Sequence, residues 1–166
     1  MLLVGGAFPL LRGSGPLRAP TKPLRVLSPA EYGIFAAAAA RLVPGDDAPA
    51  GWPTADQVDC AGKLDEILAG IHPKAAAEFR QLLRTFENGM TGLLSTGAPQ
   101  TFTAASPEQQ VRRLESWRHS RFALMRSGYQ AMKRLAHATY YASPSTFALV
   151  GYPGPPTIAP TSPAPG

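Results

Sequence analysis

The sequence predicts an all-α fold: an irregular bundle of about five helices with an extended Pro/Gly-rich N-terminal arm and C-terminal tail. Three observations carry this. Apolar residues in the middle of the chain recur at three- and four-residue spacing, and no run alternates as a half-buried strand would. Two Ser-Pro dipeptides, Ser28-Pro29 and Ser106-Pro107, stand where apolar stripes begin, as helix starts do. The 18 Pro and 16 Gly crowd into the first 30 residues, the stretch from Pro44 to Pro53 and the end, which leaves the middle as the folded part. These divide the chain into an extended arm or signal remnant (1–27), a helical domain (28–156) and a disordered Pro-rich tail (157–166).

The first helix opens at Ser28, with Pro29 in the first turn and Glu31 placed to bond back to the cap. It runs to Val43 and stops at Pro44-Gly45; the Ala36–Ala40 run lets a neighbouring helix come close. Asp46-Asp47 form a solvated turn, and Trp52 pins the following loop to the core. Thr54 caps a second helix, with Gln57 at the capping-box position. Its stripe is Val58, Ala61, Leu64, Leu68 and Ile71, and Asp56, Asp59, Lys63, Asp65 and Glu66 take the solvent face. Cys60, the single cysteine, is a small core residue there, and no internal disulfide is possible.

Pro73 opens a third helix. Phe79, Leu82, Leu83, Phe86, Met90 and Leu93 line one side, and Glu78, Arg80, Gln81, Arg84 and Glu87 lie outside. Phe102 tucks a loop against the core. Ser106 and Gln109 box the start of a fourth helix with the stripe Val111, Leu114 and Trp117. A fifth segment from Ser120 carries Phe122, Leu124, Met125, Tyr129, Met132, Leu135, Ala136 and Tyr140; it either continues the fourth or kinks off it near His119-Ser120.

The chain has no recognisable catalytic set. There is no GxGxxG or GxxxxGK[ST] loop, and no GxSxG around a serine. His119 and His137 lack the i, i+4 spacing of a helical zinc pair, and His72 sits at a helix boundary as a cap or exposed residue. CxxCH is absent, and one thiol cannot hold an iron–sulfur cluster. No run approaches the ~20 apolar residues that span a membrane. What remains is a net charge of +5, concentrated as Arg112, Arg113, Arg118, Arg121, Arg126, Lys133 and Arg134 against Glu108 and Glu115, followed by an aromatic, Pro-rich close. Clustered Tyr and Pro where a helix gives way to extended chain suit a surface that a partner covers.

The order of features resembles the gluconate 2-dehydrogenase subunit 3 family, the small subunits of bacterial flavin-dependent dehydrogenase complexes. The matching residues are Leu27-Ser28-Pro29-Ala30-Glu31, the run Arg41-Leu42-Val43-Pro44-Gly45-Asp46, the Asp59–Ile67 helix, and the close: Tyr140-Tyr141, Pro144 and Gly151-Tyr152-Pro153-Gly154. The resemblance implies a non-catalytic accessory or maturation subunit, with no cofactor of its own and FAD in the partner. That partner is a large subunit of the glucose–methanol–choline (GMC) oxidoreductase type acting on a sugar or other alcohol, often beside a cytochrome c subunit. It further implies the periplasm, or the periplasmic face of the inner membrane, and export by a twin-arginine signal. No twin-arginine pair precedes Met1–Leu11 here, so either that stretch is the remnant of a signal or this member does not escort export. Partner binding falls to Tyr140, Tyr141, Pro144, Gly151, Tyr152, Pro153 and Gly154, with Tyr140 and Tyr152 open to either a core or a contact role. The alternative reading is a basic helical nucleic-acid-binding module, with the Arg112–Arg134 face on phosphates and Trp117 or Tyr129 on bases.

Overall fold

A computed structural model describes residues 19–45, 48–89, 92–93, 97 and 99–156. The arm before residue 19, Asp46-Asp47, Met90 and the tail 157–166 lie outside these. The described residues form six α-helices and no strand: α1 Pro29–Leu42, α2 Cys60–Gly70, α3 Pro73–Glu87, α4 Pro107–Arg118, α5 Ala123–Tyr141 and the short α6 Pro144–Phe147, followed by a 3₁₀ turn at Ala148–Val150. No described helix is long and apolar enough to cross a membrane.

Helix α1 is the centre of the bundle and packs against α2, α3, α4 and α5. It starts where the sequence places it: Ser28 Oγ accepts from the Glu31 amide, and Glu31 accepts from the Ser28 amide at 2.8 Å. Tyr32, Ile34, Phe35, Ala36, Ala38 and Ala39 are all buried, so the helix is covered on nearly every side. The small alanines admit α5 along its length, as the Ala run requires.

Buried charges tie neighbours to this centre. Glu31 is 1 % exposed, and besides capping α1 it accepts from Arg80 Nε at 2.9 Å and Arg84 Nε at 2.8 Å of α3. Arg80 and Arg84, expected on the free outer face of α3, are its partners. Burial alone would raise the Glu31 pKa, but the Ser28 amide and the Arg80 guanidinium outweigh it and hold it below the ordinary value.

The start of α2 departs from expectation. Thr54 and Gln57 do exchange the two hydrogen bonds of a capping box, at 2.8 and 3.2 Å. The chain then runs through turns, because Asp59 adopts a left-handed conformation with φ of 51°. The helix begins one residue later, with Asp59 as its cap and its carboxylate accepting from the Gly62 amide at 3.1 Å. Asp65, assigned to the solvent face, is 3 % exposed, since it accepts the backbone N–H groups of Arg25, Val26 and Leu27 at 2.7, 2.9 and 2.7 Å. That carboxylate fastens the end of the extended arm to α2.

Pro73 opens α3 as anticipated, with His72 Nδ1 accepting from the Lys74 amide. Phe79, Leu83 and Phe86 are buried, but Leu93 and, at the C-cap of α2, Ile71 are exposed. Glu87 is half-buried rather than outside, because it accepts from the Thr103 amide and hydroxyl. Phe102 is fully buried against Phe86, and Trp52 packs on the core.

Helix α4 carries the second capping box, Ser106 with Gln109, but its inward face is rotated. Val111 is exposed, whereas Gln110 and Arg113 are buried beside Leu114 and Trp117. Gln110 donates to the Phe102 carbonyl, and Arg113 to the carbonyls of Phe86 and Gln100. The acceptors are carbonyls of the last turn of α3 and of the loop after it, which an apolar side chain on α4 could not satisfy. The helix breaks between Arg118 and Ala123, so the kinked alternative holds; Ser120 Oγ accepts from the Phe122 amide at the bend. Phe122 and Leu124 fall outside the core at 55 % and 79 % exposure. The apolar face of α5 starts in earnest at Gly128, where the backbone passes close to Leu82 and Trp117.

Candidate functional site

The aromatic close of the chain is built on the last turns of α5. There Thr139 and Tyr140 are fully buried and Tyr141 is half-buried. Tyr140 donates from its hydroxyl to the Pro53 carbonyl at 2.7 Å, and its ring stands perpendicular to that of Tyr141 at 5.1 Å. Burial, and then the neighbouring Tyr141, push the Tyr140 phenol above its usual range. Tyr140 therefore presents no surface to a partner in this conformation and belongs to the core. Tyr141 keeps one side open, 6.0 Å from the ring of His137.

Beyond Ala142 the chain turns sharply. Pro144 fits the first turn of α6 and is exposed. Thr146, fully buried, donates from its hydroxyl to the carbonyls of Tyr140 and Ser143, which locks the turn to the end of α5. The 3₁₀ turn ends at Gly151, whose φ of 68° suits glycine. The Tyr152 amide then reaches back to the Phe147 carbonyl at 2.9 Å, and the two rings meet edge-on at 5.0 Å. Gly154 lies beneath Phe147, also at positive φ. Tyr152 is thus held in place by Phe147 while 44 % exposed, next to exposed Gly151 and Pro153. Of the seven residues singled out in the sequence, Tyr141, Pro144, Gly151, Tyr152, Pro153 and Gly154 keep surface, and Tyr140 does not.

This surface offers contact rather than bond-making. Residues 138–156 include no charged side chain. Among the described residues no group of three or more His, Cys, Asp or Glu is placed to hold a metal. Cys60 lies buried nearby, and burial raises its thiol above the ordinary range, opposite to what a reactive thiolate needs. A cleft of about 400 Å³ runs between residues 20–25 and α2, lined by Lys22, Arg25, Tyr32, Asp59 and Glu66 among others. Its Asp59 already accepts from the Tyr32 and Thr21 hydroxyls.

The nucleic-acid alternative loses its stacking groups. Trp117 and Tyr129 are 2 % and 5 % exposed, and Arg113 is held inside by carbonyls. The one sign of Arg113's burial in the sequence is its place on the inward arc of α4 with Leu114 and Trp117.

Comparison with known proteins adds one finding. A family model described as gluconate 2-dehydrogenase subunit 3 matches residues 29–154, from the first residue of α1 to the glycine under Phe147. No curated protein and no solved structure matches the chain.

Proposed function

The chain belongs to the gluconate 2-dehydrogenase subunit 3 family, whose members are subunits of dehydrogenase complexes, and from that premise we propose that it is the non-catalytic small subunit that stabilises a larger flavoprotein. In this reading the partner is of the glucose–methanol–choline type and carries the FAD and the substrate site, a cytochrome c subunit takes the electrons, and the complex works at the periplasmic face of the inner membrane. The observation that supports it most is the built but uncharged surface at Tyr141, Pro144 and Tyr152–Pro153, inside the family match. Tyr152 is ordered in advance by Phe147, so little side-chain freedom remains to be lost when a partner covers it.

The test is co-expression of the tagged chain with its genomic neighbours. Affinity capture should bring down a larger, yellow protein with flavin absorbance and alcohol or sugar dehydrogenase activity. Recovery of the chain alone, with the larger protein present and folded, would overturn the proposal.

A further inference from the structure

Along the sequence, the net charge lies after Glu115. Of 16 Lys and Arg, five follow Glu115, and no Asp or Glu does; the remaining eleven are matched by eleven acids. Three of the five, Arg126, Lys133 and Arg134, stand on helix α5, Arg118 on α4 and Arg121 between the two. At 100° per residue, Gly128, Tyr129, Met132, Ala136, Thr139 and Tyr140 fall on one arc, and all are buried. Arg126, Gln130, Lys133, Arg134, His137 and Tyr141 fall on the neighbouring arc. The first four are exposed and the last two half-buried.

No acid answers this face from within. The ion pairs among the described residues use Glu31, Glu66 and Glu115, with partners on α3, the arm and α4. Arg126 donates once, to the Ser120 carbonyl at 2.7 Å, which leaves most of its guanidinium N–H groups for other partners. Lys133 and Arg134 make no ion pair among the described residues. The face ends at Tyr141, so it runs without interruption into the aromatic surface described above.

We infer that the outer face of α5, from Arg126 to Tyr141, docks on an acidic surface of the larger dehydrogenase subunit, with the aromatic turn anchoring one end. This rests on the small-subunit reading above and specifies the chemistry of the partner. The cations steer encounter and set register, while Tyr141 and Tyr152 supply the apolar anchor. Three cations of one sign on a single helix face, with no acid among the described residues paired to them, favour one orientation of encounter.

The test is capture of the larger subunit by the tagged chain at stepped ionic strength, for wild type, Lys133→Glu/Arg134→Glu and Lys133→Gln/Arg134→Gln. Both sites are exposed, and helical circular dichroism checks that the variants fold. Wild-type recovery should fall as salt rises, and charge reversal should weaken association by about tenfold or more, with the neutral pair between. Equal recovery by all three chains, with no salt response, would overturn this inference and leave the small-subunit reading intact. If wild type captures no larger subunit, both fall. If charge reversal instead abolishes binding to vesicles of phosphatidylglycerol or to random duplex DNA while capture is unchanged, the face serves lipid or nucleic acid and the inference is overturned.

Discussion

The Tyr140 hydroxyl lies 2.7 Å from the carbonyl oxygen of Pro53, 87 residues earlier in the chain. That bond closes the end of α5 over the loop that leads into α2. It also separates two adjacent tyrosines by role: Tyr140 seals the core, and Tyr141 faces outward beside His137.

Tyr140→Phe keeps the ring and removes the donor. It should cost about 1–2 kcal/mol in urea denaturation, because the Pro53 carbonyl loses its partner. Capture of the larger subunit by the folded variant should match wild type. A loss of capture at unchanged stability would move Tyr140 back to the contact surface.

Tyr152→Ala should give the reverse pattern. Its ring touches Phe147 and is otherwise open, so stability should change by under about 1 kcal/mol. Association should weaken by about 2 kcal/mol, roughly thirtyfold, if it is an anchor of the complex. Titration calorimetry or competitive capture beside thermal melting separates the two effects.

Asp65 makes the fastening of residues 25–27 dependent on pH. Burial raises its pKa, but the amides of Leu27, Arg25 and Val26 outweigh that, and the net shift is downward from 3.8. The unfolded chain therefore takes up the proton more readily. The stabilisation is complete above that ordinary value and is lost as pH falls through the lower folded value. Asp65→Asn should cost about 2 kcal/mol at neutral pH, as one amide loses its acceptor, and should flatten this part of the acid limb. Limited proteolysis should then cut earlier near Arg25.

Arg113 is 1 % exposed and held by two carbonyls, with the Glu87 carboxylate near enough to favour its charged form. Arg113→Ala should destabilise by about 2–4 kcal/mol, since it removes the donor to two carbonyls and leaves a cavity where a fully buried side chain stood. Arg112→Ala, one residue away on the exposed side, should change stability by under about 0.5 kcal/mol. Equal losses at the two positions in chemical denaturation would contradict this placement.

Gly128→Ala tests the packing of α3, α4 and α5. A Cβ there would stand 2.7 Å from Leu82 Cδ1 and 2.9 Å from Trp117 Cζ3. Leu82 can swing away, but the indole is buried against Phe86. Helix propensity alone favours Ala by about 1 kcal/mol, yet overpacking should win and leave a net loss of about 1–2 kcal/mol. A rise in melting temperature would show that the crossing is looser than described.

The starts of α1, α3 and α4, the stop of α1 and most of the core were legible in the sequence, because their signals act within one or two turns. Ser28, Pro29 and Glu31 satisfy the first amides of α1 locally, as Ser106, Pro107 and Gln109 do for α4. Pro44-Gly45 ends α1, and the stripe from Phe79 to Phe86 sets the buried side of α3. The family, too, showed in the local pattern of its close, Tyr140-Tyr141 to Gly154.

What only the tertiary structure decided is which polar side chains go inside. Glu31, Asp65 and Arg113 looked like ordinary cap or surface charges, and each is buried. Their partners stand on other elements: Arg80 and Arg84 on α3 for Glu31, the arm's amides for Asp65, and carbonyls of the end of α3 and the following loop for Arg113. Tyr140 turned inward for the same reason, because a carbonyl 87 residues away was left to satisfy. A cap or a stripe is determined by near neighbours in sequence, so a sequence can display it. A buried charge or hydroxyl is tolerable only where distant backbone and side chains converge on it, and that convergence exists only once the helices have packed.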